Sequence, residues 1–308
     1  MPQTGRLSSG LLESMKRRYL IDRSSRGVLL ICATVSMAVL LAIAVFIMKE
    51  SWPAFRQIGL LDFLLGTKWD PKPVGDAAPE YGILVMIVGT VLVTVGALIF
   101  AIPLGLGCAV LLADVAPHRF RQLLRPAVEL LVGIPSVVYG LVGLVLIVPL
   151  IRQIGGPGLS LAAGVIVLAA MILPTIISIS EDSIRAVPKA YREGALALGA
   201  TNWQTTWRVV LPAARSGIAA SIVLGMGRAV GEAMAMVMVI GMAKAMPNSP
   251  LDPARPMAPG VALETNYASG THLSALFAIG VVLFLFIVII NSIAIVAFKR
   301  GGRAQDIA

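Results

Sequence analysis

Six long apolar blocks, separated by polar segments of very unequal length, set the pattern of this chain. Gly27 to Met48 holds no charged residue over 22 positions, enough to cross about 30 Å of hydrocarbon as a helix. Predominantly apolar blocks follow at 81–113, 127–151, 159–178, 214–243 and 273–298. Only a backbone that satisfies its own hydrogen bonds can cross lipid, so each block predicts a helix. The whole predicts an all-α polytopic membrane protein with six transmembrane helices. The 81–113 block is longer than a span needs, which predicts a helix that is tilted or kinked at Pro103. Gly155, Gly156, Pro157 and Gly158 demand a tight reversal, so the fourth block returns beside the third.

The polar segments divide by character. Residues 1–26 interleave Lys16, Arg17, Arg18, Arg23 and Arg26 with Leu11, Leu12, Met15, Tyr19 and Leu20, which predicts an amphipathic helix on the membrane surface. The apolar run behind it is too long for a signal peptide, and Ala42 and Ala44, its one candidate cleavage pair, lie inside the run, so it is read as an uncleaved anchor. Residues 49–80, with Trp52, Pro53, Trp69, Pro71, Pro73 and Pro79, suit an ordered extracytoplasmic loop, and 244–272 is a second, Pro-rich one. Residues 301–308 form a short tail.

The segment 179–213 is different, because its punctuation predicts two short helices joined at a bend. Pro188 suits a first helical turn, Gly199 can take the left-handed conformation that closes a helix after Leu198, and Thr201 with Gln204 is a capping box that opens the next helix. Pro212 should stop that second helix.

Composition agrees: with 57% hydrophobic residues, 13% charged and a mean hydropathy of +0.89, no soluble fold of 308 residues could hide the apolar surface. The net charge of +9 does not point to nucleic acid, because Lys and Arg flank the apolar blocks instead of clustering on one face. Segments on the side of the termini and of 179–213 hold 17 Lys and Arg, against 7 in the three opposite loops, which places both termini and that segment in the cytoplasm. Cys32 and Cys108 sit inside apolar blocks as small hydrophobes, and His118 and His272 read as isolated interfacial polar residues. No G-x-x-x-x-G-K-[ST] occurs, so the chain is not expected to bind ATP in the Walker manner or to be an enzyme.

The charged pair inside the blocks is Arg228 and Glu232, in GMGRAVGEAMAM. Burying a charge there costs at least about 2.5–3.5 kcal/mol, which marks a functional residue. On one helix the two would share a face one turn apart and partly neutralise each other. They suit an anion site on a pathway, since a guanidinium matches oxyanions bidentately; a structural ion pair that fixes helix packing is the other possibility. In GIPSVVYG, Pro135 predicts a break in a helix, with the hydroxyls of Ser136 and Tyr139 beside it.

Glu193, Gly194, Ala195, Gly199, Val209, Leu211 and Pro212 together resemble the cytoplasmic coupling loop of ABC importer permeases, with Gly194 where that family usually has Ala and Val209 where it usually has Ile. ELLVGIPSVVYG and GRAVGEAMAMVMVIG are similar to the corresponding segments of phosphate importer permeases of the PstC type, and the resemblance spans roughly 28–300. It implies a type I ABC importer permease fold in a transmembrane domain of residues 27–300, in a bacterial inner membrane. It also implies a second permease of the PstA type, two PstB-type ATPase subunits that hold the ATP and Mg, and a PstS-type extracytoplasmic phosphate-binding protein. Arg228 and Glu232 would be pathway residues. A molybdate or sulfate permease, and more remotely a secondary transporter, are the competing expectations.

Overall fold

The computed structural model describes the backbone of residues 4–73 and 78–303 and the side chains of residues 24–73, 78–294 and 296. The chain divides into two compact units, residues 1–50 and 51–308. The first is helical from Thr4 onward and belongs to α1 (Thr4–Ile58). From Val28 to Met48 its side chains are mostly apolar and exposed, as Leu29 and Leu40 show at 69% each, which suits a lipid surround. The helix is not interrupted at Gly27, and the amphipathic character expected of residues 1–26 falls on side chains that, up to Arg23, lie outside the described residues.

The second unit starts inside the expected loop 49–80. Instead of ending at Met48, α1 continues through Pro53 until Gly59, whose φ of +85° no helix interior accepts. A short α2 (Leu60–Leu65) and an antiparallel pair, β1 (Trp69–Asp70) and β2 (Glu80–Tyr81), order the rest of the loop. Then come α3 (Leu84–Val110), which runs through Pro103 and continues as a π turn at 111–115, and α4 (His118–Gly133). Next, α5 (Ser136–Val142) is joined by a π turn at 143–147 to α6 (Val148–Ile154). Helix α7 (Leu161–Arg185) lies at the centre of the bundle. After it come α8 (Lys189–Ala197), α9 (Asn202–Thr205), a π turn at 206–210 and α10 (Leu211–Gly231). The chain closes with α11 (Met234–Val239), α12 (Met257–Glu264) and α13 (Thr271–Arg303). Six stretches among the described residues are long and apolar enough to cross a membrane: 24–58, 84–115, 136–154, 161–185, 202–231 and 271–294.

Their bounds correct the sequence expectation at three places. The third span begins at Ser136, not near 127, because Pro135 forces Ile134 into an extended conformation, ψ 128°, and separates α4 from α5. Helix α4 exposes Arg119, Gln122 and Glu129 and buries no residue, as an amphipathic surface helix does. The fourth span runs seven residues past Ser178, to Arg185. The fifth does not reach 243: its helix ends at Gly231, and α11 is a separate piece.

Small residues let the central helices meet. A Cβ on Gly96 would strike Val165, and one on Gly105 would strike Ile176, so α3 and α7 pack nearly backbone to backbone. The loop after α11 caps α7: the carbonyls of Val239, Asp252 and Pro250 accept from the N–H groups of Ser160, Leu161 and Ala162 at 3.1, 2.8 and 2.8 Å, and the Ser160 hydroxyl accepts from Ala163. The N–H groups that a helix start leaves unpaired are thereby satisfied away from water.

On the same side of the bundle, His272 is not the isolated interfacial residue expected. It is 3% exposed and its Nε2 lies 2.7 Å from Glu264 Oε2. The Trp69 indole donates to the same carboxylate at 3.0 Å, and Arg255 pairs with its other oxygen. Burial alone would raise the Glu264 carboxyl, but the Arg255 charge and the hydrogen bonds from His272, Trp69 and Arg255 outweigh it and hold the group below the ordinary glutamate value. A carboxylate depressed on folding stabilises the fold above its unfolded pKa, and that contribution disappears as pH falls through the folded value. Thermal stability in detergent should therefore fall as pH drops below the ordinary 4.5, and Glu264→Gln should flatten that slope. Glu264→Ala, which strands a buried Arg255, should cost about 3–5 kcal/mol. An unchanged melting temperature in Glu264→Ala would contradict this account.

Candidate functional site

Two groups of side chains identified from the sequence occupy different levels of the second unit. The first is the segment 179–213, expected from the sequence to be a coupling loop. Helix α8 starts after Pro188, which stands just before the first helical residue, and it ends in a Schellman closure: Gly199 N–H donates to Leu196 O at 3.0 Å and Ala200 N–H to Ala195 O at 3.1 Å, with Gly199 at φ +85°. The Thr201–Gln204 capping box is formed in both directions, at 3.2 and 2.9 Å.

Pro212 does not stop the second helix, as expected from its ring. The turn at 206–210 is a π turn in which Leu211 N–H reaches back five residues to Thr206 O, so the chain passes from α9 into α10 without a break. Widening the helix by one residue gives the proline ring room, which an α-helical Arg208 carbonyl would deny it. The segment 179–213 is therefore one separate helix, α8, followed by the start of the fifth span. Glu193, Gly194 and Gly199 are exposed, Ala195, Val209, Leu211 and Pro212 half-buried. Leu211 packs on a buried cluster of Ala109, Val110, Ile184, Val187, Val210 and Ala214, which roots the segment in α3 and α7. Tyr191, Leu196, Leu198, Trp203 and Trp207 stay exposed, Leu198 at 91%.

The sequence did not show what anchors α8. Asp114, in the π turn after α3, pairs with Arg192, and its second oxygen accepts from the Thr206 hydroxyl at 2.9 Å. Asp114 is the only acid between Tyr81 and Arg125, a signal visible in the chain but without a partner until the fold is known.

The second group lies deep in the bundle. Arg228, in the last turn of α10, donates from Nη1 to the Thr175 hydroxyl at 3.4 Å, and Thr175 lies near the middle of α7. Glu232 does not share its helical face. The backbone turns extended at Glu232, ψ 120°, and its Oε1 accepts from Ala235 N–H at 3.0 Å, capping α11. Among the described residues, no carboxylate comes within ion-pair distance of Arg228. The expected neutralisation of Arg228 by Glu232 is thus absent, because Gly231 ends the helix that would have stacked them.

The break at Pro135 and the break at Glu232 are brought together. A Cβ on Gly140 would touch Ala235 Cα and Met238 Sδ, and one on Gly143 would touch Val239, so α5 and α11 run parallel in close contact. One turn back along each, Ser136 and Glu232 reach roughly the same level. Tyr139 donates to Leu131 O at 2.9 Å across the break and is within electrostatic range of Arg228. Ser136, Tyr139, Thr175, Arg228 and Glu232 are all half-buried, and a Cβ on Gly133, Gly227 or Gly231 would meet nothing within 4 Å. They face open space, not a packed core.

The capping role of Glu232 sets a test. Glu232→Gln keeps an oxygen for Ala235 N–H and should leave thermal stability in detergent unchanged, whereas Glu232→Ala removes the cap and should lose about 1 kcal/mol. Equal melting temperatures for the two variants would show that the cap contributes nothing.

A family model described as "Binding-protein-dependent transport system inner membrane component" matches residues 101–301. The probable ABC transporter permease protein YqgH of Bacillus subtilis is 41% identical over 296 residues, covering 92% of this chain and 94% of that protein. The phosphate transport system permease protein PstC of Pasteurella multocida is 35% identical over 287 residues, covering 86% and 88%. In fold, a chain of a bacterial alginate ABC transporter, solved in complex with its alginate pentasaccharide-bound periplasmic protein, matches with a TM-score of 0.59 at 17% identity, over 87% of this chain and 95% of that one. Six spans, a helical segment rooted at the ends of the fourth and fifth, and sequence likeness along almost the whole chain agree: this protein belongs to the family of inner-membrane permease components of binding-protein-dependent transport systems.

Proposed function

We propose that this chain forms half of the translocation pathway of an ATP-driven importer for inorganic phosphate, as its PstC-type permease. The observation that carries the proposal is Arg228, an intramembrane guanidinium that touches the Thr175 hydroxyl and has no carboxylate partner among the described residues. A charge at such depth is kept only where something repays its desolvation, and a passing oxyanion does so. The planar fork grips two oxygens at once, and the Thr175 and Ser136 hydroxyls offer further donors. The N-terminal end of the 136–154 helix adds a partial positive charge at the same level. Glu232, committed to capping α11, keeps the site from becoming so positive that the anion stays.

The open face around Gly227 and Gly231 suits a second permease of the PstA type, which would supply the other wall. Without a Walker motif, ATP and Mg belong on two PstB-type subunits that dock on α8, and a PstS-type protein delivers phosphate from outside. The excess of Lys and Arg puts both termini and α8 on the cytoplasmic side, where ATP is. Relatives named as phosphate transport permeases support the choice of substrate. The test is uptake of radiolabelled phosphate by the complete assembly in proteoliposomes, with and without ATP, in competition with molybdate and sulfate. Uptake should require ATP and resist both competitors at equal concentration; stronger competition by molybdate or sulfate than by unlabelled phosphate would assign another anion.

A further inference from the structure

The carboxylate of Asp114 joins segments that are far apart in the sequence. Its side chain is 5% exposed. Oδ1 pairs with Arg192 of α8, and Oδ2 accepts from Thr206 at the start of the second arm, at 2.9 Å. Arg192 in turn donates from Nη2 to the Ile184 carbonyl near the end of α7, at 3.2 Å. One acid therefore holds both arms of the coupling segment to the end of the second span.

Both contacts sit on π turns. Asp114 lies within 111–115, where Ala116 N–H reaches Leu111 O at 2.7 Å, and Thr206 opens 206–210. Each π turn inserts one residue, which rotates the helix beyond it by about 100° and so decides which side chains face one another. Such turns are rare, and here two of them meet through a single hydrogen bond.

From Asp114 a continuous line of packing leads to Arg228. Helix α3 presents Gly105 to Ile176, the opposite side of Ile176 meets Gly225 of α10, and Arg228 lies one turn further on. Ile176 is fully buried between the two glycines, so α3 cannot shift without pressing on α10.

We propose that Asp114 is the positioning residue that makes the coupling segment and the cytoplasmic end of the second span move as one body, so that force arriving at α8 reaches the Arg228 level. This rests on the coupling role given to α8 above. Without the clamp, α8 would rock on its own and ATP would be spent without moving the helices around Arg228. Loss of the clamp thus uncouples hydrolysis from transport, whereas a merely structural role would lower both together.

The experiment measures phosphate taken up per ATP hydrolysed by the full assembly in proteoliposomes, with subunit retention checked on the same samples. Asp114→Asn removes the charge at constant size, and Thr206→Val removes only the hydroxyl contact. With the ATPase subunits still bound, Asp114→Asn should keep hydrolysing while uptake per ATP falls about fivefold or more, and Thr206→Val should fall in the same direction. In an Arg192→Gln background, Asp114→Asn should add little further loss. A wild-type ratio in both variants, or a parallel fall of uptake and hydrolysis at constant ratio, overturns the proposal. If Asp114→Asn does not assemble, the ratio in Thr206→Val decides. Failure of the coupling role itself would show differently, as wild-type hydrolysis that does not respond to the phosphate-loaded binding protein.

Discussion

Phosphate uptake should fall to background in Arg228→Gln, while the protein should still insert, fold and assemble. The side chain is half-buried and, among the described residues, its polar contact is the Thr175 hydroxyl, so an amide of similar length can take its place without leaving a charge stranded. Removing one partner of a desolvated charge pair costs about 2–5 kcal/mol, which is at least about thirtyfold in the affinity of the passing anion. Arg228→Lys keeps the charge as a point on a flexible stem and should recover only part of the rate, because it cannot hold two oxygens in one plane. The measurement is the initial rate of uptake in proteoliposomes holding the complete assembly, normalised to the permease present. A wild-type rate in Arg228→Gln with normal subunit stoichiometry would remove Arg228 from the pathway.

Gly199→Val should cripple uptake for a different reason. At φ +85° a β-branched residue is strained by its own backbone, and a left-handed position costs an ordinary side chain about 1–2 kcal/mol even without a clash. No clash contributes here, since a Cβ on Gly199 would meet nothing within 4 Å. The strain is relieved by undoing the Schellman closure, which frees the carbonyls of Ala195 and Leu196 and lets α8 tilt against the capping box at Thr201. Insertion and the buried cluster beneath should survive, as Gly199 touches neither. Uptake should drop several-fold, with ATPase association weakened or misaligned. Normal uptake with normal association would show that the angle at Gly199 does not matter to coupling.

Much of this was legible in the chain because the physics involved is local. A run such as Gly27 to Met48 must be helical in lipid whatever surrounds it, since no other backbone conformation pairs its own polar groups. The Gly199 closure and the Thr201–Gln204 box were equally readable, because each is completed within five residues of chain. Pro135 announced a break for the same reason.

What was misread involved competition between a local rule and its surroundings. Pro212 should end a helix, but a π turn one residue wider absorbs it, and nothing in TWRVVLP shows that the wider turn will be chosen. Arg228 and Glu232 are four residues apart and would pair on any continuous helix; Gly231 ends that helix, and Glu232 is claimed by Ala235 N–H. His272, bland in sequence, is drawn with Arg255 and Trp69 onto the one carboxylate of Glu264.

The spans, the helix closure and capping box within 179–213 and the chemical identity of the intramembrane charge were thus determined by the sequence itself, through periodicity, capping and the cost of burying a charge. Only the tertiary structure decided which partners those groups have. The meeting of Asp114 with Arg192 and Thr206 spans up to 92 residues of chain, and the freedom of Arg228 depends on where two broken helices come to lie. Such pairings follow from packing, which depends on all the helices at once and leaves no trace in the spacing of any one of them.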